Sequence, residues 1–81
     1  MITFVEHPVF SRQIVELLTD EEYGRFQSEL ARNPQIGDVI PGLYGLRKVR
    51  VAITGRGKRG GVRVIYLLLL NTEAIYLFYS S

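Results

Sequence analysis

Eighty-one residues leave room for one domain around one modest core, and a hydrophobic share of 47% with long aliphatic runs argues against disorder. The chain has no cysteine and a single histidine, His7, which excludes disulfides, thiolate chemistry, Cys-type zinc sites and any centre needing two imidazoles. Its net charge of +2 is too small to decide a partner by itself, so the placement of the charges matters more than their sum.

Ile2 to Val5 alternates weakly and reads as a short strand. His7-Pro8 introduces a helix, since proline lacks an N–H that a first turn would leave unpaired anyway. From Pro8 to Leu18, the residues Val9, Phe10, Ile14, Leu17 and Leu18 recur at helical spacing. Thr19 opens a second helix as N-cap, with Glu22 three residues on to complete a capping box. Asp20, Glu21 and Glu22 crowd the end that the helix dipole favours. Tyr23, Phe26, Gln27 and Leu30 mark the inner face, and Asn33-Pro34 stops the helix.

Gln35 to Gly45 is rich in glycine and proline and reads as a loop. The pattern then switches to period two. In Leu46 to Ile53, Val49, Val51 and Ile53 share one face with Arg47 at its outer end, while Leu46, Lys48, Arg50 and Ala52 share the other. Thr54 to Gly61 is a basic, glycine-rich hairpin loop. Val62 to Leu70 is apolar on both faces apart from Arg63, as expected of a central strand covered on both sides. Asn71-Thr72-Glu73 turns the chain into a last strand, Ala74 to Tyr79. A strand, two helices and a three-stranded antiparallel meander predict an α+β domain spanning residues 1–81. The helices can cover only one sheet face, so the second face is expected to need other cover.

Between Val39 and Thr72 there is no acid, and seven of the ten basic residues lie there: Arg47, Lys48, Arg50, Arg56, Lys58, Arg59 and Arg63. That segment carries +7 and the rest of the chain −5, a split that favours a polyanionic partner. The acids of the two helices form no paired constellation, and solvated helix faces explain them. The glycine-rich loop lacks the spacing of a phosphate loop and leads into a strand rather than a helix. What remains is a cluster of cations on one strand pair. Such a cluster binds phosphate through charge-assisted hydrogen bonds and stabilises the charge that develops when a ribose 2′-OH attacks its neighbouring phosphate. A lysine held among other cations gives up its proton more readily, and Lys48 between Arg47 and Arg50 fits the role of base in principle. Tyr76 and Tyr79 could stack a nucleobase, although Tyr76 is expected in the core and Tyr79 suits either place.

Asp20-Glu21-Glu22-Tyr23, Phe26-Gln27, Leu30, Asn33-Pro34, Gly37-Asp38-Val39-Ile40, Gly45-Leu46-Arg47-Lys48-Val49-Arg50 and Gly55 to Tyr66 closely resemble the HigB branch of the RelE toxins. The likeness runs in order along nearly the whole chain. It implies a RelE-like β-α-α-β-β-β fold, with two N-terminal helices packed on an antiparallel sheet. It also implies the toxin of a type II toxin–antitoxin system: a cytoplasmic endoribonuclease, independent of metal and cofactor, that inhibits translation by cutting mRNA in the ribosomal A site. The cut leaves a 2′,3′-cyclic phosphate, and a cognate HigA-type antitoxin neutralises the enzyme.

By the same resemblance, Lys48 and Arg50 match strand cations that approach the 2′-OH and the phosphate, and Arg63 matches the arginine that holds the scissile phosphate. Tyr79 matches the tyrosine that ends the last strand. Arg56, Lys58 and Arg59 look like the basic loop that touches ribosomal RNA or message, and Arg47 is expected to bind RNA beside them. Family members usually continue through Tyr-x-Lys into a further polar helical segment. Here Ser81 stands where that lysine is expected, and the usual C-terminal segment is lacking. A second reading is therefore a RelE-fold module that binds an antitoxin or ribosomal RNA with little or no cleavage. A DNA-binding subunit ranks behind both, because the cations sit on strands and there is no helix-turn-helix signal. No membrane role is expected: the start lacks the pattern of a signal peptide, and Val62 to Leu70 is too short to span a bilayer as a helix.

Overall fold

The computed structural model of the protein describes residues 1–53 and 60–81. The chain runs β1 (Thr3–Glu6), α1 (Pro8–Leu17), α2 (Asp20–Arg32), β2 (Asp38–Val39), β3 (Arg47–Val51), β4 (Val62–Leu69) and β5 (Ala74–Ser80), with a single 3₁₀ turn at Leu70–Thr72 before the last strand. Both helix starts follow the local chemistry of the sequence. His7 caps α1 by accepting a hydrogen bond from the Val9 amide at 3.1 Å, with Pro8 just inside the helix. Thr19 and Glu22 close the capping box reciprocally: Thr19 Oγ1 accepts from the Glu22 amide at 3.1 Å, and Glu22 Oε1 from the Thr19 amide at 2.8 Å.

The five strands form one sheet in the order β1-β5-β4-β3-β2. An α+β domain with two helices on a sheet is what the pattern predicts, but the sheet is mixed rather than wholly antiparallel. β1 runs parallel to β5, pairing Thr3 to Glu6 with Ala74 to Leu77. The topology gives the reason: α1 and α2 carry the chain from one sheet edge to the other, and the meander β2-β3-β4-β5 then returns it beside β1. The expected loop also contains a strand. Asp38 and Val39 pair antiparallel with Lys48 and Arg47, a ladder too short to show as periodicity.

Phe10, Ile14 and Leu18 from the first helix and its cap, and Phe26 and Leu30 from α2, pack on Val62, Val64, Tyr66, Ile75 and Leu77. The helices therefore cover one sheet face, which we call the inner face. The outer face differs from the expectation of a strand covered on both sides. Ile65, Leu67 and Leu69 of β4 are only half-buried there, and their neighbours Tyr76 and Phe78 are half-buried as well. Tyr76, expected in the core, is thus half-buried on the outer face instead. Its ring stacks on Phe78, with centroids 6.4 Å apart and planes 21° from parallel.

The change of pattern in β5 comes from a bulge. Tyr66 pairs with Leu77 and Ile65 with Tyr79, so Phe78 has no opposite number on β4. Strict alternation would put Tyr79 on the face of Ile75 and Leu77. The extra residue reverses the phase, so Tyr79 shares the outer face with Ile65 while Ser80 turns inward and is buried. The Ser80 amide then donates to Gln13 Oε1 of α1 at 2.7 Å.

Two tyrosines tie the layers together. Tyr66 is fully buried; its hydroxyl donates to the Pro34 carbonyl at 2.8 Å and accepts from the Gly37 amide at 2.9 Å. Tyr23 of α2 donates to Glu6 of β1 at 2.6 Å, and Ser11 of α1 donates to the same carboxylate at 2.6 Å. Burial first, and then the hydrogen bond to Glu6 and its negative charge, push the Tyr23 phenol well above its ordinary value. Burial likewise raises Tyr66.

Replacing Tyr66 by Phe leaves the Gly37 amide and the Pro34 carbonyl without partners, and chemical denaturation should show a loss of about 1–3 kcal/mol. The raised phenols also set an alkaline limit. Below the unfolded value of 10.0 both states keep their protons, and the stabilisation is complete. Above it the unfolded chain releases protons that the fold retains, so stability should fall as pH rises further. Thermal melts in that range should decline less steeply for Tyr23→Phe than for the parent, and equal slopes would show that Tyr23 does not contribute to the limit.

Candidate active site

On the outer face the register of β2, β3 and β4 gathers charge. Lys48 lies opposite Asp38 on one side and Ile65 on the other, and Arg50 lies opposite Arg63. Cross-strand partners share a face, with Cβ atoms about 5 Å apart. Lys48, Arg50 and Arg63 are all exposed, and with Asp38 and Val49 they line one concavity of about 350 Å³. The three strand cations singled out in the sequence are thus brought together at a single cleft.

Two arginines directly opposite each other on neighbouring strands repel and weaken a ladder, so this pair works against the sheet that holds it. A phosphate seated between them would relieve the repulsion and accept hydrogen bonds from both forks. Arg50 is partly held: its Nη1 donates to the Gly60 carbonyl at 2.9 Å. A Cβ on Gly60 would come within 2.7 Å of that same nitrogen, and its φ of 74° is one that glycine adopts most readily. Arg63 sits inside the sheet rather than at an edge. Its amide and carbonyl both pair with Ser81, at 2.9 and 3.0 Å, while β3 occupies its other side. Among the described residues, Lys48, Arg63 and Asp38 form no ion pair.

Tyr79 does not line the cleft. It is 46% exposed on the same face, two strands from Lys48 with Ile65 between them. That separation, about 10 Å from strand spacing, sets its ring apart from the three cations. Arg47 takes a different station. It lies on the inner face opposite Tyr66, half-buried, and its Nη1 donates to the Gly37 carbonyl at 2.7 Å and the Gln35 carbonyl at 3.3 Å. With the Tyr66 hydroxyl it fixes the segment leading into β2. Arg56, Lys58 and Arg59 lie outside the described residues.

Asp38 is the residue that sequence reasoning passed over. It is the last acid before the acid-free stretch, and its two-residue strand leaves no periodic signal. The flanking that suggested Lys48 as a base is correspondingly altered. One of the two expected cationic neighbours, Arg47, faces the other way, and a carboxylate stands opposite instead. Among the described residues no three His, Cys, Asp or Glu side chains come together as a metal site, and no helix is long and apolar enough to cross a membrane.

Arg47 and Lys48, adjacent in sequence, should therefore respond differently to mutation. Arg47→Ala removes charged hydrogen bonds to two carbonyls and should cost about 1–3 kcal/mol in thermal or chemical unfolding. Lys48→Ala, at an exposed position with no ion pair among the described residues, should stay within about 0.5 kcal/mol of the parent. Equal losses at the two sites would contradict this division of roles.

No family model matches the sequence. Among solved structures, a chain in the crystal structure of the intact E. coli RelBE toxin–antitoxin complex superposes with a TM-score of 0.73, over 96% of this chain and 92% of that one, at 12% sequence identity. At that identity the likeness is one of architecture, and this protein shares its fold with a component of a toxin–antitoxin complex.

Proposed function

We propose that this protein is the toxin of a type II toxin–antitoxin pair and acts as an endoribonuclease on mRNA in the ribosomal A site. The observation that carries the reading is the convergence of Lys48, Arg50 and Arg63 on one cleft of the outer sheet face. The shared fold with a chain of the RelBE complex and the resemblance of the sequence to the HigB branch both support it. On this reading the protein works in the cytoplasm, where ribosomes are, and its neutralising partner is an antitoxin of the HigA type.

RNA carries its own nucleophile, so the protein has to align it and accommodate charge. The 2′-oxygen bonds to phosphorus, the bond from phosphorus to the 5′-oxygen breaks, and a 2′,3′-cyclic phosphate and a 5′-hydroxyl result. Arg63, whose amide and carbonyl are both bonded to Ser81, holds the phosphoryl oxygens with its fork, and Arg50 opposes it across the ladder. Such preorganised cations stabilise the charge of the five-coordinate state without moving at the moment of reaction. Lys48 stands at the proton-transfer end of the cleft. Tyr79 offers its ring to an adjoining base, and Arg56, Lys58 and Arg59 contact ribosomal RNA or message.

Induced expression should arrest growth, and the purified protein should cut message only when ribosomes are present. Arg63→Ala should lower single-turnover cleavage by about 10²–10³-fold, the usual effect of losing one oxyanion contact. A variant that cuts as fast as the parent would remove Arg63 from the mechanism. A parent that binds an antitoxin or ribosomes yet cuts nothing would replace the enzyme by a binding module.

A further inference from the structure

The cleft holds one group that this mechanism leaves unused, and on that reading of an RNA-cleaving site we propose that Asp38 is the general base that takes the proton from the ribose 2′-OH. The geometry singles out this carboxylate. Asp38 is paired register for register with Lys48, shares its face, and lines the same concavity as Lys48, Arg50 and Arg63. It is exposed and forms no ion pair among the described residues, so its oxygens are free for an incoming substrate. Its backbone is also well placed. Gly37, the residue before it, is gripped from both sides, its amide by the Tyr66 hydroxyl and its carbonyl by the Arg47 guanidinium. A Cβ at Gly37 would come within 2.8 Å of the Tyr66 ring and 2.9 Å of the Lys48 carbonyl, so the turn that delivers Asp38 to the cleft is closely packed.

Cleavage needs one proton removed from the 2′-oxygen and one delivered to the departing 5′-oxygen. A carboxylate accepts and an ammonium donates. The Asp38–Lys48 pair supplies both functions on neighbouring strands, with the two arginines left to the phosphate. The balance is complete: the 2′-O–P bond forms as Asp38 takes the proton, and the P–O5′ bond breaks as Lys48 gives one. No metal or further reactant enters. This assignment moves Lys48 from acceptor to donor.

The groups facing Asp38 are Lys48 and Arg50 from β3 and Arg63 from β4, while Arg47 and Tyr66 reach the preceding turn from the inner side. Among these, Asp38 is the one carboxylate, and so the one group there that offers oxygens to accept the proton. The test is single-turnover cleavage of message on ribosomes, with ribosome binding measured in parallel. Asp38→Asn should bind as tightly as the parent or more tightly, because a negative charge leaves a phosphate site. It should cut about 10²-fold or more slowly, and Asp38→Glu should recover part of the rate. A parent that cuts beside an Asp38→Asn variant that cuts equally well overturns this assignment and leaves the endoribonuclease standing. Binding and cleavage lost together would make Asp38 a structural residue and overturn it too. A parent that never cuts overturns both readings.

Discussion

The register between β3 and β4 is the constraint on which the molecule's outer face depends. Side chains alternate across a strand, so a slip of one residue would turn Lys48 and Arg50 toward the helices and expose Val49 and Val51 to water. Val64 opposite Val49 and Val62 opposite Val51 prevent this, because both β4 residues are fully buried against the helix layer. Gly61 helps at the hairpin end. Its φ of 77° suits glycine, and a Cβ there would collide with the Val51 carbonyl oxygen. The cations thus hold their positions through hydrophobic burial on the opposite face, and they contribute repulsion rather than stability where Arg50 meets Arg63.

On β5 a single unpaired residue has a comparable effect. Phe78 interrupts the ladder, which gives Tyr79 to the outer face and Ser80 to the inner one. The bulge also keeps Phe78 on Tyr76, and its ring lies 6.2 Å from that of His7, so an aromatic and aliphatic apron runs beside the charged cleft. Hydrocarbon on one flank lowers the local dielectric and strengthens the attraction of the neighbouring cations for phosphate. The apron and the cleft are halves of one surface set by the same strands.

Much of this was legible in the sequence because local chemistry and tertiary packing agree there. The capping box at Thr19, proline at the start of α1 and the valine alternation in β3 each admit one conformation, and the fold adopts it. Lys48, Arg50 and Arg63 could be placed on one face by counting alone, given a hairpin between them. Three features could not. The parallel β1–β5 pairing depends on where two helices deliver the chain, which no local pattern encodes. The bulge at Phe78 hides in a run of apolar residues that reads equally well in either phase. Asp38 needed the β2 ladder to be seen, and two residues have no period. The different station of Arg47 was partly available, since its alternation already set it on the valine face, away from Lys48.

The distribution of charge acquires a direction once the fold is known. Five of the eight acids, Glu16, Asp20, Glu21, Glu22 and Glu29, belong to the helix layer, while Lys48, Arg50 and Arg63 project from the opposite side of the sheet. Only about 10 Å of apolar packing separates the two layers, so the field of the acids is felt on the far side unless salt screens it. The same two helices also carry Arg12, Arg25 and Arg32, so three basic residues against five acids leave the helix layer at −2, opposite a face from which three cations project. Within the cleft the single carboxylate of Asp38 leaves the sum positive. A phosphate would gain more from the three cations than it would lose to one acid, and the acid pairs with Lys48 on the β2 side while Arg50 and Arg63 oppose each other on β3 and β4. On the proposed mechanism the register seats the carboxylate beside Lys48 and the two arginines opposite each other, so all four groups border one concavity.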